Sequence, residues 1–333
     1  MFEIPLLLII IVAVALIFDF TNGAHDCANA IATVVSTKVL SPGTAVIMAA
    51  LLNLIGAFLG TEVAHTLGGG IVRPEVVNSS EILVLAGLVG AILWNSITWY
   101  FGIPSSSSHA LIGGLIGAAL AHAGVEGLNA ASILRKVIAP LVISPLAGFC
   151  AGFLFMSFLA LIFHRVKRAA ANAIFRKSQI VSAGFMALSH GLNDAQKTMG
   201  VITLALLIFG RIDDIVVPLW VKVACALAMA AGTSIGGWKI VKTMGHKIFK
   251  LEPVHGFAAE TAAALVIAGA STLGAPISTT HTITACIFGV GSSKRLSAVR
   301  WGVAGHLIVA WILTIPAAAV VGALSFFLLD LVF

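Results

Sequence analysis

The chain has 333 residues, of which 59% are hydrophobic and 10% charged, and its formal net charge is +6. Soluble domains carry roughly 25% charged residues, so this composition, with a mean hydropathy of +1.09, excludes a water-covered globule and makes a bilayer the natural solvent. The basic residues sit in short loops between apolar runs, which excludes a nucleic-acid surface, and four cysteines without a Cys-x-x-Cys pair exclude a zinc site.

In chain order, the first apolar run, 4–18, has no positive region before it and no small-residue cleavage site after it. It reads as a mature membrane segment rather than a signal peptide. Further segments are predicted at 24–37, 44–66, 82–101, 105–122 and 137–163. A basic stretch follows, with Arg165, Lys167, Arg168, Arg176 and Lys177, and then a second series at 180–190, 195–209, 215–234, 257–273, 277–290 and 303–329. Several runs fall short of the ~20 residues that cross the hydrocarbon. Short runs flanked by Gly, Pro or Asn predict broken helices or re-entrant hairpins, which are tolerated only inside protein or along a cavity.

The two series are related. Phe20-Thr-Asn-Gly-Ala-His-Asp-Cys-Ala-Asn29 aligns with Leu188-Ser-His-Gly-Leu-Asn-Asp-Ala-Gln-Lys197, which places Gly23 on Gly191 and Asp26 on Asp194. Gly102-Ile-Pro-Ser-Ser-Ser-Ser-His109 aligns with Gly274-Ala-Pro-Ile-Ser-Thr-Thr-His281. Two matched polar motifs in the same order imply a duplication: a first membrane repeat at 1–163, a basic cytoplasmic connector at 164–178 and a second repeat at 179–333. Placing the connector in the cytoplasm, with an odd number of crossings per half, puts 13 of the 19 Lys and Arg inside. Arg73, Arg135, Lys136 and Arg211 then lie outside. The expected fold is an all-α polytopic membrane protein of about 10–12 membrane segments, arranged as two inverted-topology repeats.

Carboxylates at membrane depth are expensive unless partnered, so Asp26 and Asp194 are candidate cation sites, sodium among the ions they would suit. Glu260, inside a long apolar run, and Asp19 are further candidates; a structural acid satisfied by backbone is the plainer alternative. The Pro-Ser-Ser-Ser-Ser-His and Pro-Ile-Ser-Thr-Thr-His segments read as helix starts, where Ser or Thr caps free N–H groups and the dipole favours an anion. Ser106, Ser107, Ser108, Ser278, Thr279 and Thr280 would surround a tetrahedral oxyanion with donors. His109 and His281 are supporting candidates whose plainer role is local packing. Lys197 could touch an anion or pair with Asp194 three residues earlier, and Gln196 beside it joins the candidate substrate contacts. No Gly-x-x-x-x-Gly-Lys loop is present, so no phosphate loop for ATP is expected.

On these residues the chain resembles the inorganic phosphate transporter (PiT) family, in its bacterial form. Asn22-Gly-Ala-His-Asp-Cys-Ala-Asn-Ala-Ile-Ala-Thr33, Ser189-His-Gly-Leu-Asn-Asp-Ala-Gln-Lys-Thr198 and both Pro-x-Ser-x-x-His segments carry the likeness. The resemblance implies phosphate symport with sodium or protons, a homodimer in the cell membrane, no resident cofactor and no enzymatic activity. It implies cation or substrate roles for Asp26, Asn29, Asn193 and Asp194. His25 stands where many members have Asn, and Lys197 and Asn53 stand where animal members carry Asn and Glu, which bears on the coupling ion. A sulfate permease, an anion channel and an intramembrane hydrolase are the alternative readings; the last is disfavoured because a triad needs one copy and no nucleophile elbow is present.

Overall fold

The computed structural model describes residues 5–68, 72, 76 and 80–332. Helix α1 (Leu6–Ser36) is followed by α2 (Pro42–Gly56), α3 (Glu62–Gly68), α4 (Ile82–Phe101), α5 (Ser107–Ala123) and α6 (Ala130–Phe163). The second half supplies α7 (Arg168–Ile208), α8 (Leu219–Ile235), α9 (Trp238–Lys247), α10 (Pro253–Thr272), α11 (Thr279–Lys294) and α12 (Trp301–Asp330). Among the described residues, the β pairing is a single isolated bridge between Val72 and Leu128.

The order of elements in the second half repeats that of the first. Each half has a long helix, a pair separated by a break, a helix ending in a proline-containing loop, a short helix and a 3-10 turn (Val125–Gly127 and Leu296–Ala298). Each then closes with a long helix carrying an internal proline, Pro145 or Pro316. The halves interlock: α6 packs on α11, and α12 packs on α5 and α4. Likewise α2 packs on α7, and α8 on α1. Among the described residues, five helices (α1, α4, α6, α10 and α12) are long and apolar enough to cross a membrane, or six spans if the α8–α9 pair, bent by 61°, is counted as one. Helices α5 and α11, of 17 and 16 residues, rise about 25 Å, short of the ~30 Å hydrocarbon.

Local chemistry explains the starts and stops. Ser41 caps α2 with Pro42 in its first turn, and Glu252 with His255 forms a capping box ahead of α10. Gly102 and Gly274 end α4 and α10 at φ +68° and +67°, a left-handed conformation that glycine adopts without a Cβ penalty. Two expected breaks are absent. The segments expected at 4–18 and 24–37 are joined in one continuous α1, and those expected at 180–190 and 195–209 are joined in one 41-residue α7 that begins inside the basic connector. One break was unexpected: 44–66 divides into α2 and α3. Lys136, expected in an outside loop, lies within α6 and donates to the Thr66 carbonyl at 3.0 Å. Arg73 lies outside the described residues.

Gly23 and Gly191 sit in helix interiors because neighbouring backbones press on them. A Cβ on Gly191 would collide with the backbone of Asn53 in α2, and one on Gly23 with Met229 and Thr233 in α8. Close approach of this kind is how small residues join helices in lipid. Gly191→Val is expected to destabilise the fold by about 1–3 kcal/mol or more, seen as a lower unfolding midpoint and a poorer yield of monodisperse protein.

Two apolar clusters frame a polar layer. One joins Cys27 to Val34 of α1 with Phe175 to Ala187 of α7, α10 and α11. The other joins Leu8 to Phe18 of α1 with Ala195 to Leu206 of α7, α4, α5 and α8. Where α1 and α7 pass from one cluster to the other, Asn22, His25, Asp26, Ser189, His190, Asn193 and Asp194 are all buried.

Candidate functional site

The polar layer assembles from α1, α7 and the starts of α5 and α11. On α1, Asn22, Asp26, Asn29 and Thr33 recur at three- and four-residue steps, hence along one face. Asn29 donates through Nδ2 to Thr280 Oγ1 at 2.9 Å and Thr279 Oγ1 at 3.3 Å. Thr280 in turn donates to Asp26 Oδ1 at 3.4 Å, and Thr279 to Asp194 Oδ2 at 3.1 Å. The first turn of α11 is therefore held by both carboxylates. Lys197 binds Asp194 Oδ1, Ser108 Oγ and the carbonyl of Ile277, the last at 3.0 Å.

The aspartates are each oriented by a histidine. His25 Nδ1 is 2.6 Å from Asp26 Oδ1, while its Nε2 faces Thr98 Oγ1 at 3.1 Å and Ser105 Oγ at 3.3 Å. His190 Nε2 is 3.1 Å from Asp194 Oδ2, close but without the alignment of a hydrogen bond. The Asn53 amide nitrogen donates to Thr233, leaving its Oδ1 to accept from His190 Nδ1 at 3.0 Å. A ring protonated at Nδ1 turns a lone pair at Nε2 toward a carboxylate, and that pairing calls for positive charge on the ring or between the groups. Asp26, His190 and Asp194 offer ligand atoms within 4.8 Å of one another, so one small cation can reach all three.

Several acceptors and hydroxyls here are buried without a hydrogen-bond partner among the described residues: Asn29 Oδ1, Asn193 Oδ1, Asn22 Oδ1 and Ser107 Oγ. Buried polar atoms of this kind ordinarily find a partner, so the layer is chemically suited to a polar ligand that both donates and accepts.

The family of such a layer is decided by its sequence. The match to the family described as the phosphate transporter family runs over residues 22–322. The chain belongs to that family. It is 48% identical over 331 residues to the "Probable low-affinity inorganic phosphate transporter" of Bacillus subtilis, covering 98% of each chain. Identity to the protein of the same name from Rhizobium meliloti is 51% over 328 residues, covering 98% of this chain and 97% of that one. A solved structure described as "The sodium-dependent phosphate transporter" superposes with a TM-score of 0.87 at 24% identity, over 98% of this chain and all of the other, and thereby shares its fold. Membership of the phosphate transporter family makes the chain a multi-pass membrane protein and a transport protein rather than an enzyme.

Within this phosphate transporter scaffold the sequence-predicted residues separate by position. Asp26, Asp194, Asn29, Lys197, Ser108, Thr279 and Thr280 converge in one hydrogen-bonded cluster. Ser106 and Ser278 cap α5 and α11 by accepting from the His109 and His281 backbones at 3.3 and 3.1 Å. Asn193 donates to Ser271 of α10 at 2.7 Å. His109 and His281 pack on each other, with ring centroids 4.9 Å apart, and Trp311 stacks on His281. They touch neither carboxylate. Glu260 lies elsewhere: it accepts from Thr33 at 2.5 Å, Gln179 at 3.0 Å and Ser182. Thr33 is seven residues beyond Asp26, about 10 Å along α1.

Gln196 turns away from the cluster and caps α3, accepting from the Val63 N–H at 2.8 Å and the Ala64 N–H at 3.4 Å. Gln196→Ala is expected to cost about 1 kcal/mol and to lower the unfolding midpoint, with the KM for the transported ligand unchanged. His190, Thr98 and Ser105 were not singled out from the sequence. His190 had a readable signal, four residues before Asp194 on the same helical face. Thr98 and Ser105 meet His25 only through tertiary packing.

Proposed function

We propose that the chain is a phosphate symporter coupled to sodium or protons, working by alternating access around the Asp26–Asp194 layer. Two carboxylates, one from α1 and one from α7, that meet at the first turn of α11 are the observation that supports this most. A cation held by Asp26, His190 and Asp194 offsets the charge of the anion, and Ser107, Ser108, Thr279 and Thr280 offer it hydroxyls. The need for a cation is electrical. With a negative interior, each net negative charge moved inward costs about 2.3 kcal/mol per 100 mV, and phosphate at neutral pH carries more than one.

The orphaned carbonyl oxygens of Asn29 and Asn193 favour phosphate over sulfate, because hydrogen phosphate can donate to them and sulfate cannot. The repeated element order and the paired motifs support an inverted repeat whose halves rock about the layer. The family resemblance supports a homodimer in the cell membrane. Competition against labelled phosphate uptake tests the substrate. Excess unlabelled phosphate is expected to suppress the signal while equal sulfate leaves it intact; suppression by both would make this a general oxyanion carrier.

A further inference from the structure

The two halves hold quasi-equivalent positions around the layer, and they are filled differently. Counting along the aligned motifs, Asp26 corresponds to Asp194, Asn29 to Lys197, and Thr280 to Ser108. The contacts correspond too: Asn29 reaches Thr280 at the start of α11, and Lys197 reaches Ser108 at the start of α5. The Lys197 ammonium is bound by a carboxylate oxygen of Asp194, the hydroxyl of Ser108 and the carbonyl of Ile277 in the unwound loop before α11. Carboxylate, hydroxyl and unwound-backbone carbonyl are the oxygen set that hard cations take in membrane carriers. Asp26, its counterpart, is in contact with no Lys or Arg among the described ion pairs; its one partner there is His25.

We infer that Lys197 is a tethered counter-cation, occupying the cage that in the other half is left to a mobile ion. The inference rests on the transport reading and adds to it which carboxylate needs the mobile ion. Lys197 offsets Asp194, whereas Asp26 has no Lys or Arg in contact with it among the described ion pairs and is left to a mobile cation. Lys197 is 2% exposed and is covalently held, so it shuttles no charge across the membrane in the cycle.

Replacing Lys197 by the residue that stands in the first half should open the second cage. Equilibrium dialysis of purified protein with radioactive sodium, at ionic strength held constant with choline chloride, is the test. K197N is expected to bind one more sodium per chain than the wild type. In vesicles, each extra coupled ion then raises the accumulation limit about tenfold for a tenfold sodium gradient. An equal sodium count in the two proteins overturns the inference. If K197N is not monodisperse in choline chloride, recovery in sodium chloride supports the inference, and failure in both salts overturns it. Dialysis requires no phosphate, so a wild type that carries none would sink the transport reading while leaving this result to stand or fall separately.

Discussion

Asp194→Asn is expected to abolish phosphate accumulation and to destabilise the protein as well. Asp194 is buried, bound by Lys197 and Thr279, and 3.1 Å from His190 Nε2. Neutralising it leaves the Lys197 ammonium without its charge partner. Removing one member of a buried pair costs about 3–5 kcal/mol because the other charge remains buried and uncompensated. The check is a double-mutant cycle read by unfolding midpoint: Asp194→Asn alone should fall well below the wild type, while the Asp194→Asn, Lys197→Asn double variant should recover most of the loss. Both should remain inactive, since each lacks a carboxylate of the cation cluster. A double variant no more stable than Asp194→Asn alone would show that the pair contributes little.

Asp26→Asn is expected to abolish accumulation with the fold intact. Its carboxylate meets His25 and Thr280, and an amide of the same shape can still pair with both, so no buried charge is stranded. The carboxylate that has no ammonium bound to it is then gone, while Asp194 remains paired with Lys197, so the pull on a cation weakens. A charged ligand of this kind is worth about 1.5–3 kcal/mol, or roughly ten- to a hundredfold in cation affinity. The variant should melt near the wild-type temperature, lose the dependence of uptake on the cation gradient, and fail to concentrate phosphate. Gradient-driven accumulation at wild-type level would remove Asp26 from the coupling mechanism.

Much of this was legible in the sequence, and the omissions have physical causes. Residues 82–101 were read with the bounds that α4 has, because a Gly and a Pro punctuate its end. The paired Asp and Ser/Thr motifs were legible because a polar cluster stands out in an apolar chain. Helix continuity through Asn22-Gly23 and His190-Gly191 was not. Glycine weakens a helix in water, but in a packed membrane core it marks where another backbone presses close, here α8 on α1 and α2 on α7. The break between α2 and α3 was also hidden, since its cap comes from Gln196 in the other half. The links from His25 to Thr98 and Ser105 span 73 and 80 residues, a separation at which helical periodicity carries no signal. Glu260 was legible as a buried acid, yet only the fold separates its cluster from the Asp26–Asp194 layer.

Labelled phosphate uptake into proteoliposomes, with an inward sodium gradient and an inward proton gradient imposed in turn, tests the central claim most directly. The account predicts a transient rise of internal phosphate above the external concentration under one of the two gradients, collapsing when that gradient is dissipated. Uptake that rises only to equality under both gradients would contradict symport and describe a passive pathway.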